Sequence, residues 1–323
     1  MKTKSRPQDT KAAGIRFGIE LETKLPLTCA IDVGGYHNGR PVQGGIDQTG
    51  TRVAAPKFMN NAWRADRDGS IVCLPGEMPC EFVSPILYGE EGVEHLCRFV
   101  EWLNAIGAKV DASCGVHITV GIESVIGTSD AGKVSEFVRK LAHIAQWHAR
   151  SLYGQTGSGR HLNRYSHTLA ADVAKHMRTI VATSSVSDKE RAACACGRGM
   201  VNFQKIFRHG PTGYAGAIEF RVFAGTVSLN KILHHLATVL GLCRRASEVQ
   251  CLGAFKKNKL QTKRTASAVS AVEFLWDYLG WNGSNRPVAL GVFGPLHQRL
   301  ETYKAEAMRL CRKFDERFPD ASL

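Results

Sequence analysis

Apolar and polar side chains alternate near the start of the chain. Phe17, Ile19 and Leu21 interleave with Glu20 and Glu22, so Ile15–Thr23 reads as a strand with one buried face. Cys114–Gly121 repeats the period of two, setting Val116, Ile118 and Val120 against His117 and Thr119. Gly216–Phe223 does the same, with Ile218, Phe220 and Val222 on one face and Glu219 and Arg221 on the other. Glu81–Pro85 is short and extended and ends at its proline. Trp63–Ile71 reads as a strand end, a turn at Asp68 and Gly69, and the start of a new strand. A loop over Asp188–Gly199 leads into a further predicted strand over Met200–Phe207.

Between these segments the period changes to that of a helix. Gly92–Ile106 carries Val93, Leu96, Phe99, Val100, Leu103 and Ile106 at helical spacing, and Val134–Leu152 follows the same rule. Ile232–Arg245, Ala271–Leu279 and Leu296–Phe314 are predicted helices, so the C-terminal third is helical. His143, His148, His234 and His235 fall inside these helical patterns and read as packing or surface residues. Asp32–Lys57 is rich in Gly, Gln, Asn and Pro and has no periodicity, which reads as an insertion or lid. Residues 1–12 read as a disordered basic tail, and there is no internal repeat. Strands and helices mixed in this way predict an α+β fold.

Composition narrows the setting. The 323 residues are 44% hydrophobic, enough core for one large domain or two small ones. A net charge of +13 directs attention to anionic partners: nucleic acid, nucleotides or an anionic cell-wall polymer. Much of the excess sits in Met1–Pro7 and Phe255–Arg264, which read as solvated runs rather than binding sites. No apolar stretch reaches the ~20 residues needed to span a bilayer, and no signal-peptide apolar region follows the basic start. A cytoplasmic protein without membrane contact is expected. The ten cysteines are scattered, as in a reducing compartment, and neither Cys194-Ala-Cys196 nor the pair Cys73 and Cys80 has zinc-site spacing.

The polar faces of the strands carry the chemistry. Glu20 and Glu22 share one face, where two carboxylates repel each other, so they point either to water or to a divalent cation. His117 with Thr119 and Glu219 with Arg221 occupy the same position on two other strands. Brought into one sheet, three carboxylates, an imidazole and a guanidinium form a ligand set for a divalent cation and a phosphate. Carboxylates hold Mg2+, and Arg forks onto phosphate oxygens. Glu81 is a fourth acid among apolar neighbours and a natural further ligand.

Five segments in order complete a pattern: Phe17-Gly-Ile-Glu-Leu-Glu22, Asp68-Gly-Ser70, Glu81-Phe-Val-Ser-Pro85, Cys114-Gly-Val-His-Ile-Thr-Val120 and Ala217-Ile-Glu-Phe-Arg-Val-Phe-Ala-Gly-Thr226. Over about residues 14 to 245 the chain resembles the amidoligase family, carboxylate–amine ligases related to glutamine synthetase and glutamate–cysteine ligase. The resemblance implies a curved, mainly antiparallel, glutamine-synthetase-like catalytic sheet with flanking helices, binding ATP and two or three Mg2+ ions, with Mn2+ as an alternative. It implies that Glu22 and Glu81 hold one metal near the substrate carboxylate. Glu20, His117 and Glu219 would hold another beside the ATP phosphates, and Arg221 would stabilise the transferring phosphoryl group. Residues 13–250 are then expected to form the catalytic domain with the insertion 32–57. Residues 251–323 are expected to be a helical extension packed on the same domain.

Weaker candidates accompany these. Asp68 reads equally as a catalytic contact to substrate or nucleotide and as a turn former. Arg160 and Arg164 lie in a Gly/Ser-rich loop of the kind that closes over phosphate, although loop arginines are ordinarily solvated. Asn202 precedes the Glu219 strand, and similar proteins have Asn there. The leading expectation is an ATP- and Mg-dependent ligase forming an amide through an acyl phosphate. Its substrates are a carboxylate and an amine, with a peptide, a cell-wall peptide, a protein tail or modified nucleic acid as candidates. Two other readings stay open: a metal-dependent nuclease or phosphotransfer enzyme on nucleic acid, and a non-catalytic nucleotide- or polyanion-binding protein.

Overall fold

The computed structural model describes residues 14–169, 198–206, 216–250, 267–282, 293–321 and 323. The tail 1–12, the loop 188–197, the pair Cys194 and Cys196 and the basic run 255–264 lie outside them.

The chain is an α+β protein built on one large antiparallel sheet. Its strands are β1 (Arg16–Pro26), β2 (Arg40–Pro41), β5 (Arg64–Asp66), β6 (Glu77–Val83), β7 (Leu87–Tyr88), β8 (Gly115–Gly121), β9 (Val201–Asn202) and β10 (Ala217–Ala224). Their order is β2-β5-β6-β1-β8-β10-β9, with β7 beside the start of β1, and every strand pairing is antiparallel. A separate hairpin pairs β3 (Gly44–Ile46) with β4 (Arg52–Ala54).

Alternation decides which face is dry. Phe17, Ile19 and Leu21 are at most 2% exposed and belong to one core with Phe82, Ile118 and Phe220. Helices supply the rest of that core: α1 (Gly89–Ala105), α2 (Ile122–Ile126), α3 (Ala131–Trp147), α4 (Ala149–Gly154), α5 (Leu229–Glu248), α6 (Ala268–Leu279) and α7 (Phe293–Arg317). The ring of Phe99 on α1 stacks flat on Trp63 at 3.6 Å and meets Phe82 edge-on at 5.6 Å, which fixes α1 under β5 and β6. Phe223 stacks on His235 of α5 at 4.1 Å. Asp315 on α7 accepts from Ala268 N at the start of α6 and from Arg150 Nη2, tying α4, α6 and α7 together. Among the described residues no helix is long and apolar enough to cross a membrane.

Three predicted elements take another form, each for a local reason. The new strand expected at Ser70 does not form: the Asp68 carboxylate accepts from Ser70 N at 2.7 Å, closing an Asx turn, and β6 begins only at Glu77. The single helix expected over Val134–Leu152 divides at His148, whose amide is shared between the carbonyls of Ile144 and Ala145. The strand expected over Met200–Phe207 shrinks to two residues, because Asn202 Oδ1 captures Gln204 N and turns the chain into a 3-10 segment, Gln204–Ile206; Phe207 lies outside the described residues. The stretch 32–57 contributes edge strand β2 and the β3–β4 hairpin, whose turn is held by Asp47 Oδ1 accepting from Thr49 N and Thr51 N.

Candidate active site

Register turns alternation into a site. On the polar face, Glu22 of β1 lies opposite Glu81 of β6, which lies opposite Asp66 of β5. One row along, Glu20 lies opposite His117 of β8, and Glu219 of β10 lies opposite Asn202 of β9. Side chains directly opposite on neighbouring strands sit about 5 Å apart at Cβ, so the pairing alone gathers these acids around one imidazole. A register shift in β10 between Phe220 and Phe223 sends both Val222 and Phe223 into the core and leaves Arg221 on the polar side.

His117 is the hub. Its Nδ1 is 3.2 Å from Glu20 Oε2, 3.6 Å from Glu219 Oε1 and 3.9 Å from Glu81 Oε1, and its Nε2 is 3.3 Å from Glu22 Oε1. Two triads result, Glu20–His117–Glu219 and Glu22–Glu81–His117, each with ligand atoms within 4.8 Å of one another. His117 is 1% exposed, and its Nε2 has no hydrogen-bond partner of good geometry although it is buried. A buried polar atom left in this way, among more carboxylates than its surroundings neutralise, fits a divalent cation taken by oxygen and imidazole ligands.

Charge in the cluster is uneven. Burial works against the Glu20 carboxylate, but its bond to His117 and the Lys205 ammonium hold its pKa well below the usual carboxylate range. Glu81 moves the other way: burial and the neighbouring charges of Glu20 and Glu22 push it up to about 9. Asp66 is 2% exposed and is also raised, first by burial, while Arg64 and His37 oppose the rise.

The acids form the floor of a cleft of about 1280 Å³. Arg221 spans it, donating from Nη1 to Glu219 Oε1 at 3.0 Å and from Nε to the Tyr165 carbonyl at 3.1 Å. Asn202 donates to Glu219 Oε2 at 2.7 Å and so orients that carboxylate. Arg160 lines the cleft but is only 5% exposed, with Nε and Nη2 directed at the Arg221 carbonyl. Arg164 stays exposed at the rim, its guanidinium 4.7 Å from the Tyr165 ring centre. Asp68 is half-buried at the cleft wall, where one oxygen holds the turn. All ten residues singled out in the sequence therefore meet in one place, nine as cleft lining and His117 beneath them.

Lys205 and Asp66 join the acid cluster without having been candidates in the sequence. Lys205 Nζ lies 3.0 Å from Glu20 Oε1 and 3.5 Å from Glu219 Oε1. It lies in the 3-10 turn that takes the place of the predicted Met200–Phe207 strand, so alternation gives it no face. Asp66 shares the i, i+2 spacing of Arg64 and Asp68, a signal that becomes readable only once β5 is known to flank β6.

Gly115 has a steric reason to be glycine. Its N–H donates to Glu22 Oε2, and a Cβ there would collide with Arg160 Nη2 and sit 3.1 Å from His117 Nε2. Gly115→Ala is expected to destabilise the protein by about 1–3 kcal/mol through overpacking. Thermal melts should register a drop of several degrees, and an unchanged Tm would show that the cradle yields without cost.

A family profile described as "Putative amidoligase enzyme" matches residues 13–242. The chain belongs to this amidoligase family. No curated protein matches the chain. Among solved structures it is similar, at 9% identity and a TM-score of 0.40, to the crystal structure of the complex between the prokaryotic ubiquitin-like protein Pup and its ligase PafA; the match covers 96% of this chain and 67% of that one.

Proposed function

We propose that the protein is an ATP- and Mg2+-dependent carboxylate–amine ligase that works through an acyl phosphate. The observation that carries this reading is the pair of acid triads sharing His117, with Lys205 and Arg221 set against Glu219 in the same cleft. Glu20, His117 and Glu219 are assigned to a phosphate-side ion, and Glu22 with Glu81 to an ion on the side of the substrate carboxylate, since a neutral imidazole has one lone pair to give. Bound divalent ions would supply charge neutralisation of the phosphates and orientation of the reacting oxygens.

The remaining work falls to side chains of the chain itself. A second recess of about 500 Å³ opens beyond Glu20 and Lys205, lined by Gly18, Thr119 and Gly121 together with Val83 and Ile86. Small and apolar lining residues together suit a nucleobase and ribose, with the triphosphate running toward Glu219. Arg221 has its Nε and Nη1 committed, which leaves Nη2 as the donor available to a transferring phosphoryl group. In the first step a substrate carboxylate oxygen bonds to the γ-phosphorus as the bond to ADP breaks. In the second the amine attacks the acyl carbon, phosphate leaves, and the amine gives up one proton.

The test is amine-dependent release of ADP and phosphate across panels of carboxylates and amines. Turnover that requires both partners supports the reading. Absence of turnover across the panels, with divalent-cation-dependent cleavage of nucleic acid in the same preparation, would replace it with the nuclease. Arg221→Lys is expected to lower kcat about 100-fold, because an ammonium supplies one point charge where the guanidinium holds Tyr165, Glu219 and phosphate together. Steady-state kinetics check this, and a loss below about threefold would leave Arg221 as a structural ion pair.

A further inference from the structure

Lys205 stands where the proposed phosphate-side ion would bring a second positive charge. Its Nζ touches two members of that triad, Glu20 Oε1 at 3.0 Å and Glu219 Oε1 at 3.5 Å. A divalent ion bound to those oxygens would lie within a few ångströms of the ammonium, where repulsion between the two charges is large in a buried setting. Holding the same oxygens at once is therefore disfavoured. The lysine also lines both cavities, the large cleft and the 500 Å³ recess. Its side chain is 33% exposed, against 1% for Glu219, and it enters from the short 3-10 segment Gln204–Ile206 rather than from the sheet. A four-carbon stem on such a segment can swing, whereas Arg221 is pinned by the Tyr165 carbonyl.

We infer that Lys205 is an exchangeable counter-cation. It neutralises Glu20 and Glu219 while the phosphate-side position is empty, yields those oxygens to the incoming divalent ion, and turns its ammonium to the triphosphate running from the recess. The inference rests on the ATP reading above and adds an order to it: ion and nucleotide enter together, since the nucleotide phosphates give the displaced ammonium its new partner. No covalent step is involved.

A lysine acting only as a structural ion pair would, on removal, weaken everything the site binds. An exchangeable counter-cation has effects of opposite sign on two ligands. Lys205→Met, which keeps the stem and removes the charge, is expected to bind Mn2+ alone about tenfold more tightly, because the resident competitor is gone. It is expected to bind AMP-PNP in saturating Mg2+ about tenfold more weakly, the size of one lost charge-assisted hydrogen bond. Lys205→Arg keeps the charge and should stay within about threefold of wild type for Mn2+, which covers the case in which the Met variant does not fold. Electron paramagnetic resonance reads free Mn2+, and calorimetry reads the nucleotide. Losses of both affinities in Lys205→Met, or no change in either, overturn the inference while leaving the ligase reading intact. Wild-type protein that binds neither Mn2+ nor AMP-PNP overturns both. If Lys205→Met does not fold, an Arg variant with Mn2+ affinity changed tenfold or more overturns the inference.

Discussion

Glu219→Gln is expected to abolish ATP turnover while the protein remains folded. Glu219 is the most heavily partnered acid in the cleft: Asn202 donates to one oxygen, and Arg221, Lys205 and His117 crowd the other. Replacing one oxygen by an amide nitrogen sets a donor against a donor on whichever side it faces, and the charge offered to a divalent ion disappears. The loss should reach roughly three orders of magnitude in kcat, about 4 kcal/mol of transition-state stabilisation. Stability should fall by only about 1–3 kcal/mol, the desolvation penalty of one unmatched polar group. Kinetics beside a thermal melt check both, and a near-normal rate would remove Glu219 from the catalytic site.

Glu81→Gln should have two opposite effects. With its folded pKa near 9, Glu81 is protonated at neutral pH when no cation is bound. A carboxyl whose folded pKa is raised contributes stability in full below its unfolded value of about 4.5 and loses it as pH climbs through 9. Cation-free wild type should therefore lose Tm across that window, and Glu81→Gln, which cannot ionise, should lose less and melt higher at pH 8 to 9. Mn2+ must displace the Glu81 proton, so its affinity for wild type should rise with pH over the same range and binding should release protons to the buffer. The variant should gain no such pH dependence and should be inactive. Melting curves at several pH values with and without Mn2+ check this. Parallel curves for the two proteins would show that Glu81 ionises normally.

Much of the site was legible in the sequence because a strand has only two faces. Once Phe17, Ile19 and Leu21 are buried, Glu20 and Glu22 must share the opposite side, and the same holds for His117 and for Glu219 with Arg221. What the alternation could not supply is the order of strands, and with it the neighbours: that Glu81 faces Glu22 on one side and Asp66 on the other is a property of register. Side-chain competition for backbone donors also hid elements. Asp68 and Asn202 each capture an amide two residues on, which ends one expected strand before it starts and shortens another to a pair of residues. Arg160 illustrates a third gap. A Gly/Ser-rich loop leads one to expect a solvent-facing guanidinium, yet the structure buries it against the Arg221 carbonyl beneath Gly115. Its cost of desolvation lowers its pKa, and it stands behind Arg221 rather than at the rim.

The charge of the chain bears on the substrates through the cleft. Arg67, Arg164 and Arg198 also line the cleft, and Arg64 lines it with its Nη2 3.7 Å from Asp66 Oδ2. Under the proposed ligase activity these cations would steer anionic substrates toward the cleft from a distance.

The most direct measurement of the proposed chemistry is a crystal structure with AMP-PNP and Mn2+, using the anomalous signal of manganese. Two peaks are predicted, one among Glu20, His117 and Glu219 and one between Glu22 and Glu81, with the γ-phosphate between them and Arg221 and the base in the recess beside Gly18 and Thr119. Nucleotide bound away from the cleft, or anomalous density absent from both triads, would contradict the assignment.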